Sequence, residues 1–198
     1  MIFRDLGFKP LPDVWADMQR FTDTRSDDTA DEVWFVEHPP IFTLGLNADP
    51  RHVLDPGDTP VLQIDRGGQV TYHGPGQLVA YAMIDLRRAG LTVRGLVTEL
   101  ESAVVDTVAR YGVEAYGSSD ARGVYVGASK LAALGLRVRR HCSYHGIAVN
   151  VAMDLAPYQR INPCGFEQLA VTQLADICGV DSIERVRTDL RGELEKRF

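Results

Sequence analysis

Cys164, in the run Asn162-Pro163-Cys164-Gly165, lies on a turn whose glycine leaves the backbone free, a setting in which a thiol can act as a nucleophile. A helix expected to begin just after the turn would place its positive end beside the sulfur and lower its pKa. Lys130 opens an otherwise apolar run, Lys130-Leu131-Ala132-Ala133-Leu134-Gly135-Leu136. At the start of a strand such a lysine either snorkels to water or holds its ammonium at the mouth of an apolar pocket. The second arrangement suffices to activate a cysteine. A free thiol of pKa ~8.5 is only about 3% thiolate at pH 7, and half ionisation needs a shift of ~1.5 units, roughly 2 kcal/mol. An ammonium ~4 Å away, at an effective dielectric near ~20, offers ~4 kcal/mol before desolvation.

The densest unusual stretch is Arg66-Gly67-Gly68-Gln69-Val70-Thr71-Tyr72-His73-Gly74-Pro75-Gly76-Gln77. Its paired glycines let the backbone approach a ligand while Arg66, Tyr72 and His73 supply polar edges; a tight hairpin with exposed polar residues has the same composition. Gly74-Pro75-Gly76 lacks the third glycine of a dinucleotide fingerprint, and no phosphate-binding loop occurs. His141, Cys142 and His145 are close in sequence, but on a strand 141 and 145 share one face while 142 takes the other, so no metal site is expected. Cys178, within Leu174-Ala175-Asp176-Ile177-Cys178, reads as helix packing. With His73 or His145 as base, Cys164 would also suit a cysteine hydrolase, and spacing does not separate the two readings.

These residues need elements to hold them. Val14, Trp15, Met18 and Phe21 recur at helical spacing behind Pro12-Asp13, which reads as a capped helix. Residues 33–36 and 41–44 are short β-rich runs, 47–60 a loop, and 77–86 a further strand. The spacing of Val93, Leu96, Val97, Leu100, Val104, Val108 and Tyr111 predicts a helix over 92–111, with Gly112 as its left-handed stop. Strands follow at 124–126, 131–138 and 144–151, the last alternating as a half-buried strand should. Helices are expected at 167–178 and 182–197. The pattern predicts an α+β fold, one domain over 1–198 with a mixed β-sheet flanked by helices.

The chain has 198 residues, 45% apolar and 24% charged, the ordinary globular mix for a single core. No apolar run is long enough to span a bilayer, and Asp5 stands where a signal peptide would need a basic flank, so no membrane partner and a cytoplasmic location are expected. Three cysteines without a C-x-x-C pair predict free thiols. A net charge of -6 argues against nucleic acid as a partner. Arg137, Arg139 and Arg140 form the one basic cluster, either a solvated strand end or a landing point for an acidic protein.

Taken together, five segments resemble the lipoyl(octanoyl) transferase family. They are Glu37-His38-Pro39-Pro40-Ile41-Phe42-Thr43-Leu44-Gly45; the Arg66 to Gln77 stretch; Lys130 to Gly135; Tyr144-His145-Gly146-Ile147-Ala148-Val149-Asn150; and Asn162 to Gly165. The resemblance covers roughly residues 30 to 175, and it is the combination that is specific. It implies a biotin/lipoate-protein-ligase-like fold and transfer of octanoyl from acyl carrier protein to a lysine of a lipoyl domain. Cys164 matches the family's acyl-accepting cysteine and Lys130 its activating lysine. Arg66, Gly67, Gly68, Gln69, Val70, Thr71, Tyr72 and His73, with Ala133, Leu134, Gly135, Gly146, Ile147 and Ala148, match the lining of the acyl pocket. Cys142 stands where no family cysteine is expected.

The resemblance implies a two-step route without ATP or another cofactor. Cys164 thiolate attacks the thioester of octanoyl-acyl carrier protein; the target lysine then attacks the acyl-cysteine. Once the thiolate has become a neutral thioester, the Lys130 ammonium loses its counter-charge and becomes the nearest base. Backbone N–H groups at Cys164-Gly165 or His73-Gly74 would steady the oxyanion. Acceptors would be lipoyl domains of 2-oxoacid dehydrogenase complexes and the glycine cleavage H protein, met by a monomer. The rivals are an ATP-using lipoate or biotin ligase, which would need an adenylate site, and a non-catalytic acyl-binding module, which would never form an acyl adduct.

Overall fold

Val33 and Phe35 turn to one face of the Glu32–Glu37 strand, Trp34 and Val36 to the other, and all four are buried. That strand must therefore be covered on both sides, and this requirement sets the layers of the fold. The structure, a computed structural model, describes residues 1–118, 121–166 and 169–198, with the side chain of Cys164 outside the description.

Along the chain run β1 (Ile2–Phe8), α1 (Leu11–Thr24), β2 (Glu32–Glu37), β3 (Ile41–Leu44), β4 (Val61–Gln63), β5 (Thr71–His73), β6 (Gln77–Met83), α2 (Val93–Ala109), β7 (Tyr116–Gly117), β8 (Gly123–Val126), β9 (Ser129–Arg139), β10 (Cys142–Asn150), α3 (Leu174–Cys178) and α4 (Ile183–Glu195). Among the described residues the main sheet has the order β1-β2-β6-β10-β9-β8-β7. Its β1–β2 pair is parallel and its other pairs antiparallel, which makes it the mixed sheet of an α+β fold. A smaller sheet, β4-β3-β5, stands beside it.

Helices α2 and α4 cover one face, where Leu96, Leu100 and Val104 meet Phe35, Ala80, Ile147 and Leu190. Helix α1 covers the other, where Val14 and Met18 meet Trp34, Tyr81, Tyr144 and Ala148. The α2 ends match their sequence signals: Thr92 Oγ1 accepts from Gly95 N at 3.0 Å, and Gly112 has φ +77°.

Several expectations are corrected. Helix α1 starts at Leu11 without a side-chain cap, and Pro12 sits inside its first turn, where its missing N–H costs nothing. Strand β10 is buried along its whole length rather than on one face, because Ile147 and Val149 face the α2 and α4 layer while Tyr144 and Ala148 face α1. The helix expected over 167–178 is replaced, within the described residues, by extended chain and the short α3. Lys130 N donates to Ala170 O at 2.8 Å and Thr172 N to Lys130 O at 3.0 Å, so the segment with β-branched Val171 and Thr172 pairs with β9 instead of coiling. Residues 167 and 168 lie outside the described residues. Strands β1, β4, β5 and β7 were not anticipated; they are short or exposed.

Candidate active site

Glycines bring the 66–73 loop down onto the strands of the main sheet. Gly67 N donates to Leu136 O at 2.9 Å, and a Cβ on Gly135 would stand 2.8 Å from Gly67 O, so β9 must carry a glycine there. Beneath the loop is a narrow cleft with a mostly apolar lining, the kind of surface that takes an apolar ligand. All the residues expected to line an acyl pocket line this cleft except Gly67 and Tyr72. Gly67 faces a shallow groove on the outer side of the loop. Tyr72 follows strand alternation: Thr71 and His73 turn to the cleft, while its ring packs on Phe42 and Tyr158 at 5.3 and 5.7 Å. Arg66 lines the cleft but uses donors to hold the loop, bonding Thr43 O at 2.7 Å and Gly67 O at 2.9 Å.

His73 and His145 line the inner part, and His38 stands behind His73 with ring centroids 6.0 Å apart. His73 bonds Gln77 Oε1 through Nδ1 at 2.7 Å, and His38 meets Tyr81 OH at 2.8 Å. Burial pushes His38 down to about 4 and His73, helped by the nearby His38, to about 3. His145 is 2% exposed and has φ +61°, a backbone conformation that costs a non-glycine residue ~1–3 kcal/mol. It is held there through Nε2, 2.8 Å from Asp65 Oδ1. Burial lowers the His145 pKa, opposed by the hydrogen bond and the charge of Asp65. Asp65 also accepts from Trp15 Nε1 at 2.8 Å and from Tyr144 OH. Burial opposes its ionisation, but the bonds from His145, Tyr144 and Trp15 prevail and hold the carboxyl well below its usual range.

The histidines predict an acid limb of stability. An unfolded histidine takes up its proton near pH ~6.5, whereas folded His38 and His73 resist until about 4 and about 3. Protons therefore favour the unfolded chain as pH falls below ~6.5, and the loss stops growing once the folded groups titrate. Each should cost on the order of 2 kcal/mol between pH ~7.5 and ~5. Urea midpoints at the two values should show the drop, and His38→Gln should remove the His38 share, on the order of 2 kcal/mol.

Lys130 does not snorkel. It is 3% exposed; its Nζ donates to Arg122 O at 2.9 Å and stands 5.1 Å above the Tyr125 ring, contacts that suit an ammonium. Glu101, on α2, accepts from Gly123 N at 2.8 Å and so steadies the strand start behind Lys130. Burial raises its pKa. Glu101 was missed in the sequence because it stands one residue beyond Leu100 in an apolar stripe.

Cys164 lies in a tight turn, Pro163–Gly165, with Gly165 at φ +78° and Phe166 extended after it. Among the described residues no α-helix begins beside it, so the expected helix-end effect on its thiol is withdrawn. The turn is packed against the cleft: a Cβ on Gly165 would lie 3.3 Å from Gln69 Cγ and 3.3 Å from His52 Nε2. Downstream, residues 170–172 pair with Lys130. Cys142 is buried, and burial raises its thiol; Cys178 Sγ donates to Leu174 O at 3.3 Å. Arg139 pairs with Asp23 at 3.0 Å, and Arg140 donates to Asp23 O at 3.2 Å. Among the described residues no three His, Cys, Asp or Glu side chains are grouped to hold a metal ion.

A family model for the lipoyl protein ligase A/B catalytic domain matches residues 11–195. The octanoyltransferase of Pseudomonas putida is 56% identical over 99% of this chain and 91% of its own. That of Xanthomonas campestris pv. campestris is 53% identical over 98% of this chain and 84% of its own. Among solved structures, lipoate-protein ligase A bound with ATP superposes with TM-score 0.80 at 16% identity over 100% of this chain and 85% of that one. The biotin protein ligase of Aquifex aeolicus in complex with biotin and ATP superposes with TM-score 0.63 at 11% identity, over 99% of this chain and 69% of that one. These two likenesses establish the shared fold alone. With a family model over most of its length and relatives more than half identical, the chain belongs to the octanoyltransferases of the lipoyl protein ligase A/B catalytic-domain family and is an acyltransferase.

Proposed function

We propose that the chain moves an octanoyl group from octanoyl-acyl carrier protein to a lysine of a lipoyl domain, through a thioester on Cys164. The observation that carries this reading is the largely apolar cleft under the 66–73 loop, with the Cys164 turn packed on its Gln69 wall. The acyl chain lies between Gly68 to Thr71 above and Ala133 to Gly135 with Gly146 to Ala148 below. Lys130 supplies the positive charge that keeps Cys164 ionised and, after acylation, the first base for the incoming amine. The acceptors are lipoyl domains of 2-oxoacid dehydrogenase complexes and the glycine cleavage H protein. No described helix is long and apolar enough to cross a membrane.

Exchange of one thioester for another is near neutral in energy, so the reaction draws on no ATP and no other cofactor. The test is a lipoyl domain mixed with enzyme and either octanoyl-acyl carrier protein alone or free octanoate with ATP. Octanoylation in the first mixture and none in the second is expected. The reverse would make this chain a ligase.

A further inference from the structure

On that reading, the two half-reactions must account for their protons. A thioester and a lysine ammonium give an amide, a thiol and one free proton. In the first step Cys164 sulfur bonds to the acyl carbon, the carbon–sulfur bond to the carrier breaks, and the departing thiolate takes a proton from the Lys130 ammonium. In the second, neutral Lys130 takes one proton from the incoming ammonium. The freed amine forms the carbon–nitrogen bond, the carbon–sulfur bond to Cys164 breaks, and the thiolate returns. The nitrogen still carries a second proton that must leave. Lys130 is by then an ammonium again, 3% exposed and donating to Arg122 O at 2.9 Å, so it can neither accept that proton nor vent it to water.

His52 stands where that proton can go. Its Nε2 lies against the Gly165 end of the Cys164 turn, 3.3 Å from the position of a Cβ there. Its backbone is tied to that turn: Asn162 N donates to His52 O at 2.8 Å, and Val53 bridges Ile161. Its Nδ1 is buried with no hydrogen-bond partner among the described residues, a state that protein interiors rarely leave unexplained. The side chain as a whole is half-buried, which leaves it a route to solvent that Lys130 lacks. Neutral imidazole can accept a proton on one ring nitrogen and release one from the other. We propose that His52 takes the second proton as the amine attacks the acyl-cysteine and passes it to water.

The test separates the half-reactions in the full chain, native and with His52→Gln or His52→Ala. Acyl-enzyme is formed from octanoyl-acyl carrier protein and followed by intact mass, and a lipoyl domain is then added across pH ~6 to ~9. Adduct formation should stay within ~3-fold of native while the second step slows by ~10²-fold, the scale of a lost general base. The limb of the pH profile due to His52 should vanish in His52→Gln, and added imidazole should rescue His52→Ala saturably. A normal adduct with an unaltered second step overturns the His52 proposal alone. So does an equal loss in both steps without imidazole rescue. Absence of an adduct on the native protein overturns the cysteine route and this proposal with it.

Discussion

Replacing Cys164 by Ala should abolish octanoyl transfer, by at least ~10³-fold, because the variant loses the sulfur proposed to carry the acyl group. Intact-protein mass measured after mixing with octanoyl-acyl carrier protein checks it: the native chain should gain one octanoyl group and Cys164→Ala none. The other thiols do not confuse the result. Cys142 is buried with its thiol pushed up by burial, which keeps it in the unreactive protonated form, and Cys178 Sγ is turned to Leu174 O. The turn holding Cys164 is made by backbone bonds, Gly165 N to Asn162 O at 3.0 Å and Phe166 N to Pro163 O at 3.1 Å, so alanine should leave the fold intact. A native chain that octanoylates a lipoyl domain without ever carrying an adduct would mean direct transfer.

Lys130→Met should slow acylation of Cys164 by roughly 10²- to 10³-fold at pH ~7. Methionine keeps the length and removes the charge. A thiol returned to pKa ~8.5 is about 3% ionised at pH 7, which alone costs ~30-fold; loss of the proton donor to the leaving thiolate accounts for the rest. The sign of the pH dependence follows. As pH rises towards ~9 the thiol ionises without help, so the variant should recover most of the ~30-fold while the native rate stays flat. A purely structural role would leave the deficit equal at both values. Single-turnover adduct formation at pH 7 and 9 decides between them, with the thermal midpoint as a check that burying methionine beside Arg122 has not loosened β9.

The proton relay assigned to His52 and the acid limb from His38 and His73 differ in legibility. His73 stands in a dense motif and draws the eye, yet its burial, which makes it neutral and unsuited as a base, depends on β5, β6 and His38 closing around it. His52 sits in what reads as an ordinary loop of prolines and aspartates. Nothing local distinguishes it, because its neighbour at the Gly165 turn is more than a hundred positions away. Asp65 is invisible for the same reason: Trp15, Tyr144 and His145 converge on its carboxylate from two other elements. The misplaced helix after Cys164 has a related cause. Residues 170–172 can coil or extend, and the backbone of Lys130 decides for extension.

What the sequence by itself determined was local and periodic. The apolar spacing of α2 and α4, the Thr92 and Gly112 ends, the main β-rich runs and the α+β class rest on residue pattern, since side-chain periodicity and backbone permissions act within a few residues. The motif order likewise pointed to the family and to Cys164 and Lys130 as the pair to watch. The tertiary structure decided what depends on burial and on distant neighbours. It placed Lys130 inside rather than at the surface, turned Tyr72 away from the cleft, held His145 at a positive φ against Asp65, and packed His52 against the cysteine turn. Charge state follows desolvation, and desolvation belongs to the packed chain and to no residue alone.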